Sequence, residues 1–258
     1  MIINLNADMG EGFGSYRTGN DHLLLKVIAS ANIACGFHAG DPWVMTETLQ
    51  MAREQGVSIG AHPSFPDLQG FGRRVMQILP HELKALVLYQ IGALDGMARA
   101  SGLKVSHVKP HGALNNMACE DKNIAAIIIE AVRSYDRTMI ILAPALSELA
   151  KAGIAAEQPV ALEVFADRAY SDTGNLLPRS HAGAVFENPK ECVANVTRMI
   201  EQGGIVSTNG TLLPTQFHSI CVHGDSVLAA DSAAQVRNRL EELGYTVASL
   251  TEMRSQLL

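Results

Sequence analysis

Short apolar runs rich in β-branched residues alternate along this chain with polar corners and with longer stretches whose apolar residues recur at helical spacing. This alternation predicts a parallel sheet with helices packed on its outer side. Seven segments are predicted as strands, and residues 246–250 are a candidate for an eighth. The seven predicted strands are 2–6, 30–34, 57–60, 105–109, 138–142, 160–165 and 219–222.

Helices are predicted after most of these strands. The longest, 81–100, places Leu83, Val87 and Ile91 on one apolar stripe. Asp41 followed by proline is typical of a helix start, because the carboxylate can cap the first turn. Two stretches, 64–79 and 167–188, are too long and too polar for simple connections. We expect both to be functional loops.

The seven or eight predicted strands and the length of the chain together indicate the architecture. A single α/β barrel commonly fills about 250 residues, and this chain has 258, of which 47% are hydrophobic. We therefore predict one domain over residues 1–258, a (βα) barrel of the seven-strand, TIM-like type. An open, doubly wound sheet is the alternative.

Charge and terminal sequence exclude several classes of protein. The chain has 20 Lys and Arg against 26 Asp and Glu, and its longest basic run is the pair Arg73 and Arg74, so we expect no binding to nucleic acid. The start of the chain has the features of neither a signal peptide nor a membrane anchor. Four cysteines without a CxxC pair favour reduced thiols. The predicted location is the cytoplasm, with no membrane partner.

Candidate chemistry collects where the predicted strands end. Four of the nine histidines (His38, His62, His111 and His223) follow four different strands. The carboxyl ends of parallel strands meet at one edge, where the catalytic groups of α/β proteins lie. We therefore expect one shared polar site at that edge. The acidic residues expected there are Asp8, Glu11, Asp41, Asp67, Glu163, Asp167 and Asp225.

Two of the strand-end residues are the strongest candidates. Asp8 follows an apolar first strand and needs a partner to stay charged there. Lys109 ends a buried strand and must either pair or shift its pKa. For Asp41 and Asp225, a helix-capping role is the simpler interpretation. The remaining histidines lack the strand-end position and are interpreted as structural or surface residues: His22, His81, His107, His181 and His218.

Local motifs for several kinds of site are missing from the sequence. There is no P-loop, no GxSxG elbow, no HExxH pair, and no GxGxxG with its acidic partner. Ligands from separate strands could still hold a divalent metal without any local spacing. In that case Asp8, His38 and His62 are the expected ligands.

Six ordered motifs resemble the LamB/YcsF family, and the resemblance runs from residue 1 to about residue 250. They are NADMGE, NIACGFHAGD, IGAHPSFPD followed by GFGRR, VKPHGALNN, EVFADRAY and ICVHGD. The resemblance implies a seven-strand barrel similar to that of polysaccharide deacetylases. The HxxxH metal motif of those enzymes is absent, so their zinc mechanism does not transfer.

The resemblance also implies an activity. It is the opening of the lactam of 5-oxo-L-proline to L-glutamate with ATP, expected with Mg²⁺, in a heteromeric complex with the B and C subunits of 5-oxoprolinase. In this interpretation Asp8 or His62 activates water, and His38, His111 or Lys109 donates a proton. The expected substrate-binding residues are Glu11, Asp41, Arg73, Arg168, Arg179, His223 and Asp225.

Two functions of other classes remain open at this stage. One is a metal-dependent amide or ester hydrolase that acts alone, which would turn over without ATP. The other is a noncatalytic subunit that binds a small molecule or carbohydrate, which would tolerate the loss of Asp8, His38 and His62.

Overall fold

The computed structural model describes residues 1–224 and 228–257. Ten strands are present in this part of the chain, seven of them in a parallel barrel. The strands are β1 (Ile2–Met9), β2 (Ser30–Ala34), β3 (Ser58–His62), β4 (Val105–Val108), β5 (Ile140–Pro144), β6 (Val160–Phe165), β7 (Gly204–Val206), β8 (Leu212–Pro214), β9 (Ser219–Cys221) and β10 (Thr246–Val247).

Pairing of β9 with strands on both sides closes the barrel. The order runs from β1 to β6 and then to β9, and β9 also pairs with β1. Ser219 thus lies opposite Glu163 of β6 and opposite Asn4 of β1. The prediction of a seven-strand barrel is confirmed, and the open-sheet alternative is wrong.

The structure differs from the sequence prediction outside the barrel. The candidate eighth strand shortens to β10, which pairs only with the first residues of β1. Strands β7 and β8 form an antiparallel pair that we did not predict, because each is only three residues long. That residues 1–258 form a single domain stays a prediction.

Helices follow most of the strands and cover the outside of the barrel. They are α1 (Asp21–Leu24), α2 (Pro42–Gln55), α3 (Pro80–Ala100), α4 (Gly112–Glu120), α5 (Lys122–Tyr135), α6 (Glu148–Ala155), α7 (Pro189–Gln202) and α8 (Ala229–Glu242), with a short 3-10 turn at Arg254–Gln256. Among the described residues, no helix is long and apolar enough to cross a membrane.

Polar and apolar residues alternate along β1, and this alternation separates the two sides of the barrel wall. Leu5, Ala7 and Met9 belong to the apolar core under the helices. Asn6 and Asp8 make hydrogen bonds to polar side chains of other strands. Successive residues of a strand point to opposite faces, so β1 presents a polar face to the barrel interior and an apolar face to the helices.

The first strand extends beyond its predicted end. Asp8 pairs in register with Asn32 of β2, and Met9 pairs with Ile33. Asp8 is therefore a residue within the strand, close to its carboxyl end, and not the first residue after it. Its side chain points into the barrel because it shares the face of Asn6.

Gly60 of β3 allows the close approach of His107, whose Nε2 lies 3.0 Å from Oδ1 of Asn32. A Cβ atom on Gly60 would lie 2.2 Å from the His107 ring. We expect Gly60→Ala to lower the free energy of unfolding by about 1–3 kcal/mol, the usual cost of overpacking. Urea denaturation measures this change.

Gly92 provides the matched control for this substitution. It lies inside α3, and a Cβ atom there would meet nothing within 4 Å. We expect Gly92→Ala to stabilise the protein by about 0.5–1 kcal/mol, since alanine favours a helix interior more than glycine does. Equal effects of the two substitutions would contradict the packing argument.

Candidate functional site

A cavity of about 370 Å³ opens at the carboxyl ends of the barrel strands. Its walls come from strand ends and from both long loops that the sequence indicated. Of the predicted site residues, the structure places the following in its lining: Asp8, His62, Arg73, Lys109, His111, Arg168, Arg179 and His223. The cavity has the size of a small-molecule site.

A buried group of ions forms the floor of this cavity. Nζ of Lys109 lies 3.0 Å from Oδ1 of Asp8 and 3.1 Å from Oε1 of Glu163. The ammonium group is also 3.3 Å from Oδ1 of Asn6 and 3.0 Å from Sγ of Cys221. The three charged side chains are almost fully buried. Each of them needs the others, because an unpaired charge is costly away from water.

The charges in this group reinforce one another. Burial opposes ionisation of Asp8, but the charges of His62 and Lys109 outweigh it and hold the pKa of this carboxyl well below its usual range. Burial also opposes the charge of Lys109, but Asp8, Cys221 and Glu163 raise the pKa of the ammonium. Asp8 is therefore a carboxylate and Lys109 a cation at neutral pH.

Glu163 differs from Asp8 in its tendency to ionise. Burial raises the pKa of the Glu163 carboxyl, and the charge of Lys109 only partly opposes this effect. Its Oε1 accepts a hydrogen bond from Nδ2 of Asn6 at 2.8 Å, and its Oε2 is buried without a hydrogen-bond partner. The two carboxyl groups beside Lys109 thus have different environments.

A second cluster, of three histidines and one glutamate, lies next to Asp8. We call Glu11, His38, His62 and His111 the histidine cluster. One nitrogen or oxygen atom from each lies within 4.8 Å of those of the other three, and all four residues are buried. Nε2 of His62 is 3.4 Å from Oδ2 of Asp8, so this cluster and the ion group are in contact.

The histidine cluster differs from the metal ligands expected from the sequence. Asp8 is not part of it, although it adjoins His62, while Glu11 and His111 are. Imidazole nitrogens with a carboxylate oxygen are a ligand set that suits a divalent transition metal. Burial lowers the pKa values of His38 and His111 well below the usual range, which favours the neutral rings that a metal requires.

Three arginines surround the outer part of the cavity. Arg73 comes from the loop at 64–79, and its guanidinium lies 4.9 Å from the ring centre of Phe71. Arg168 and Arg179 come from the loop at 167–188. Arg168 is buried and donates hydrogen bonds from Nε and Nη2 to the carbonyls of Ala184 and Leu177. It therefore also holds its own loop in place.

His223 forms a pair with Asp167 at one wall of the cavity. Its Nδ1 lies 2.7 Å from Oδ2 of Asp167, and its ring stacks on Phe165 with centroids 5.4 Å apart. Burial opposes the charge of Asp167, but His223 outweighs it and lowers the pKa of the carboxyl. The pairing orients the imidazole towards the cavity that it lines.

One predicted substrate-binding residue, Asp41, does not join the site. Asp41 caps α2, accepting hydrogen bonds from the backbone nitrogens of Trp43 and Val44, and also one from Gly14 at 2.6 Å. Its carboxylate is therefore used by backbone groups, as the simpler interpretation had it. Asp225 lies outside the described residues.

The five histidines interpreted as structural or surface residues are not among the residues that line this cavity. His22, His81 and His181 are exposed. His107 is buried in the barrel wall, and the ring of His218 accepts a hydrogen bond from the nitrogen of Leu162. Position directly after a predicted strand therefore distinguished the histidines of the site from the other five.

Glu163 is the main residue of the site that we did not assign a role. It stands inside a strand whose other residues are apolar. A lone glutamate in such a strand was a signal in the sequence that could have identified it as a site residue. A glutamate in such a strand must point into the barrel and find a partner there. The partner, Lys109, lies two strands away, and local sequence does not indicate that distance.

The chain is similar over nearly its whole length to proteins of one family. The LamB/YcsF family model matches residues 3–255. A protein of Azoarcus sp. (strain BH72), named as the A subunit of 5-oxoprolinase, is 54% identical over 253 residues, covering 98% of this chain and 99% of that protein. The lactam utilization protein from Thermus thermophilus is 39% identical with a TM-score of 0.89, covering 96% of this chain and 100% of that chain.

A more distant likeness concerns the fold alone. A family 4 carbohydrate esterase from Streptomyces lividans has a TM-score of 0.50 at 11% identity, covering 95% of this chain and 91% of that one. The barrel is thus similar to the carbohydrate esterase fold, as the sequence motifs implied. The family match spans nearly all of the residues that form the barrel and its cavity, and the chain belongs to the LamB/YcsF family.

Proposed function

We propose that this chain is the A subunit of an ATP-dependent 5-oxoprolinase. It opens the lactam of 5-oxo-L-proline to L-glutamate and acts together with the B and C subunits. The observation that carries the proposal is the ionised Asp8 beside His62 and Lys109 on the floor of a cavity rimmed by arginines. Relatives at 45–54% identity that are named as A subunits of 5-oxoprolinase support the choice of substrate.

The chemistry of the lactam explains the need for ATP. An unstrained five-membered lactam is a poor electrophile, and its opening is unfavourable near neutral pH. Phosphorylation of the amide oxygen turns that oxygen into a leaving group. In the balanced reaction, 5-oxoproline, ATP and two water molecules give glutamate, ADP, phosphate and one proton. The sequence contains no P-loop, so we assign ATP, with Mg²⁺, to the partner subunits and hydrolysis of the activated species to this chain.

The floor of the cavity has the groups for the hydrolytic step. Asp8, or His62 beside it, accepts a proton from the attacking water, whose oxygen bonds to the lactam carbonyl carbon. The ring C–N bond then breaks, the nitrogen takes a proton to become the amine, and the phosphoryl group stays on the former amide oxygen as γ-glutamyl phosphate. The second water hydrolyses this acyl phosphate to glutamate and phosphate. The candidate proton donors are Lys109 and His111, which line the cavity, and His38, which stacks on His111. The charge of Lys109 also stabilises negative charge that develops on oxygen.

The rim of the cavity has the groups for substrate binding. Activated 5-oxoproline carries a carboxylate and a phosphoryl group, and arginine binds both of these anions through its planar fork of N–H donors. Arg73 and Arg179 lie on two different loops that line the same cavity. Closure of these loops on a dianionic substrate would position the lactam over Asp8 and His62.

Release of glutamate from 5-oxoproline tests the proposal. The purified chain is assayed with ATP and Mg²⁺ first alone, then with either partner (the B or the C polypeptide) and then with both. We expect release only in the complete mixture, and no stoichiometric binding of labelled ATP to this chain alone. Tight binding of ATP to the isolated chain would contradict the assignment of ATP to the partners.

The same assay separates the two other classes of function. Release of glutamate by the chain alone without ATP would favour a hydrolase that acts by itself. Full activity of the complete mixture with an Asp8→Asn chain would favour a noncatalytic binding role. Each of these results would overturn the proposal.

Replacement of the arginines at the rim of the cavity tests their proposed role in substrate binding. We expect Arg73→Gln and Arg179→Gln each to raise KM about 10- to 100-fold in the complete mixture, with a smaller change in kcat, because each loses a charge-assisted hydrogen bond. The control is Arg17→Gln, since Arg17 pairs with Glu47 on the surface and is not among the residues lining the cavity. Unchanged KM values in both rim variants would exclude these arginines from anion binding.

A further inference from the structure

Two rings of the histidine cluster each use one nitrogen to bind a backbone carbonyl. Nδ1 of His62 lies 2.6 Å from the carbonyl oxygen of Lys109, and Nε2 of His111 lies 2.9 Å from that of Phe71. A carbonyl oxygen only accepts hydrogen bonds, so these two nitrogens carry the ring protons. In the neutral rings, Nε2 of His62 and Nδ1 of His111 are therefore lone-pair atoms.

These two lone-pair atoms face each other. Nε2 of His62 is 3.0 Å from Nδ1 of His111, and that same Nδ1 is 3.5 Å from Oε1 of Glu11. Lone pairs and a carboxylate oxygen at such distances repel one another, and the repulsion is strong in a buried site. A positive charge among these atoms, either a shared proton or a metal cation, relieves this repulsion.

His38 adds a third imidazole to the same space. Its Nε2 is 3.2 Å from Oε1 of Glu11, and its ring stacks on His111 with centroids 3.9 Å apart. Its Nδ1 is buried without a hydrogen-bond partner. The ring is thus held by packing and by the contact of Nε2, which points into the cluster.

The distances between these atoms fit a metal ion. Four ligands at the Zn–N and Zn–O distances of about 2.0–2.1 Å in a tetrahedron are about 3.3 Å apart. Three of the six atom pairs in the histidine cluster are 3.0, 3.2 and 3.5 Å apart, and all six lie within 4.8 Å. A single ion can therefore reach the cluster with small movements of the side chains.

The loop at 64–79 is built to orient His111. Phe71, whose carbonyl accepts from this ring, has a φ of 54°, which is uncommon for a residue with a side chain. At the next position, a Cβ atom on Gly72 would lie 2.3 Å from Oγ of Ser64 and 2.8 Å from Cβ of His38. A histidine that donates its outer nitrogen to a carbonyl is the usual arrangement around bound metals.

We propose that the histidine cluster binds one divalent first-row transition cation of the Zn²⁺ type. The proposed ligand atoms are those that face one another: Nε2 of His62, Nδ1 of His111, Oε1 of Glu11 and Nε2 of His38. The cation replaces the shared proton between His62 and His111. Two ligands follow β1 and β2, one ends β3 and one follows β4, so four neighbouring corners of the barrel supply the site.

A cation in this position has a consequence for the reaction, and this consequence rests on the proposed function. Oδ2 of Asp8 lies 3.4 Å from the ligand atom of His62. Water bound to the cation would adjoin this carboxylate, and a bound cation lowers the pKa of such water towards neutrality. The binding of the cation itself does not depend on what the substrate is.

Metal uptake by the full chain tests the proposal. The purified protein is treated with a chelator, dialysed against Zn²⁺ and analysed by mass spectrometry of the metal. We expect about one ion per chain, and Co²⁺ in place of Zn²⁺ should give the visible absorption of a tetrahedral site with nitrogen and oxygen ligands. Stoichiometry well below one for both ions would overturn the proposal.

Single variants locate the site. We expect His62→Gln and His111→Gln to weaken Zn²⁺ binding by about 100-fold or more, because loss of an outer partner alone costs about 10- to 100-fold. Glu11→Gln keeps the shape of the side chain and should also weaken Zn²⁺ binding. It provides the test if a histidine variant folds poorly. The control is His181→Gln on the surface. Equal Zn²⁺ affinity in all variants and in the wild type would place the ion elsewhere.

Two measurements distinguish this proposal from the proposed function. If glutamate release needs no metal while Zn²⁺ still binds at the cluster, the binding site stands and only its catalytic consequence is wrong. Nitrogen-15 NMR of the metal-free and Zn²⁺-treated protein follows the two rings directly. Unchanged signals from His62 and His111 after Zn²⁺ addition would show that the shared proton is the true occupant.

Discussion

Asp8→Asn is expected to lower kcat for glutamate release by about 10²- to 10⁴-fold, the usual contribution of a positioned general base. The asparagine oxygen can still accept the hydrogen bonds that Asp8 accepts from Asn32 and Lys109. Glu163 still balances the charge of Lys109. The chain should therefore fold, and the loss should be in kcat. The measurement is a steady-state assay of the complete mixture.

Asp95 offers a matched control for this prediction. It is also a buried carboxylate, but it lies on α3, where it accepts hydrogen bonds from Arg99 and Tyr135. We expect Asp95→Asn to lower stability while leaving kcat near the wild-type value. If Asp8→Asn keeps kcat within about threefold of the wild type, Asp8 is not the base, and His62 becomes the candidate.

Lys109→Met is expected to abolish activity and to lower the free energy of unfolding by about 3–5 kcal/mol. The physical reason is that Asp8 and Glu163 would remain buried without their common cation, and breaking a buried pair costs about this much. Urea denaturation at several pH values measures the loss.

The loss in Lys109→Met should depend on pH. Without the ammonium, burial raises the folded-state pKa values of Asp8 and Glu163 above the unfolded values. Such groups destabilise the folded protein increasingly as the pH rises through these values, and protonation relieves the cost as the pH falls. We therefore expect a smaller deficit in mildly acidic than in alkaline buffer.

A double variant separates the stability effect from the catalytic one. Lys109→Met with Glu163→Gln removes one of the two unpaired charges, so it should regain part of the lost stability without regaining activity. It also provides a measurable protein where the single variant does not accumulate. A Lys109→Met protein within about 1 kcal/mol of the wild type would contradict the proposed ion group.

The strand-end histidines show how far the sequence alone could lead to the site. His62 and His111 line the cavity, and His38 lies in the same cluster, as expected from their positions after parallel strands. This inference works because the carboxyl ends of parallel strands all meet at one edge. The same rule placed Asp8 and Lys109 together, although they are 101 positions apart in the chain.

The same rule could not tell which of the polar residues after a strand end belong to the site and which have another role. Asp41 follows β2 as closely as other site residues follow their strands, but its carboxylate caps α2. Glu11 was expected to bind substrate, and the structure places it against His38 and His111. The direction of a side chain at a loop depends on the backbone angles there, which composition and spacing do not specify.

The amino-acid sequence by itself determined the order of the barrel strands, most of the helices that follow them and the edge where polar residues gather. These depend on local periodicity and on the parallel direction of the strands. Only the tertiary structure decided which atoms meet. Closure of the barrel places β9 between β6 and β1, and Nδ2 of Asn6 on β1 then reaches Glu163 on β6. Across the barrel interior Glu163 meets Lys109, and at the ends of neighbouring strands His62 meets His111. Contacts of this kind join residues far apart in the chain, and their geometry follows from packing the whole barrel.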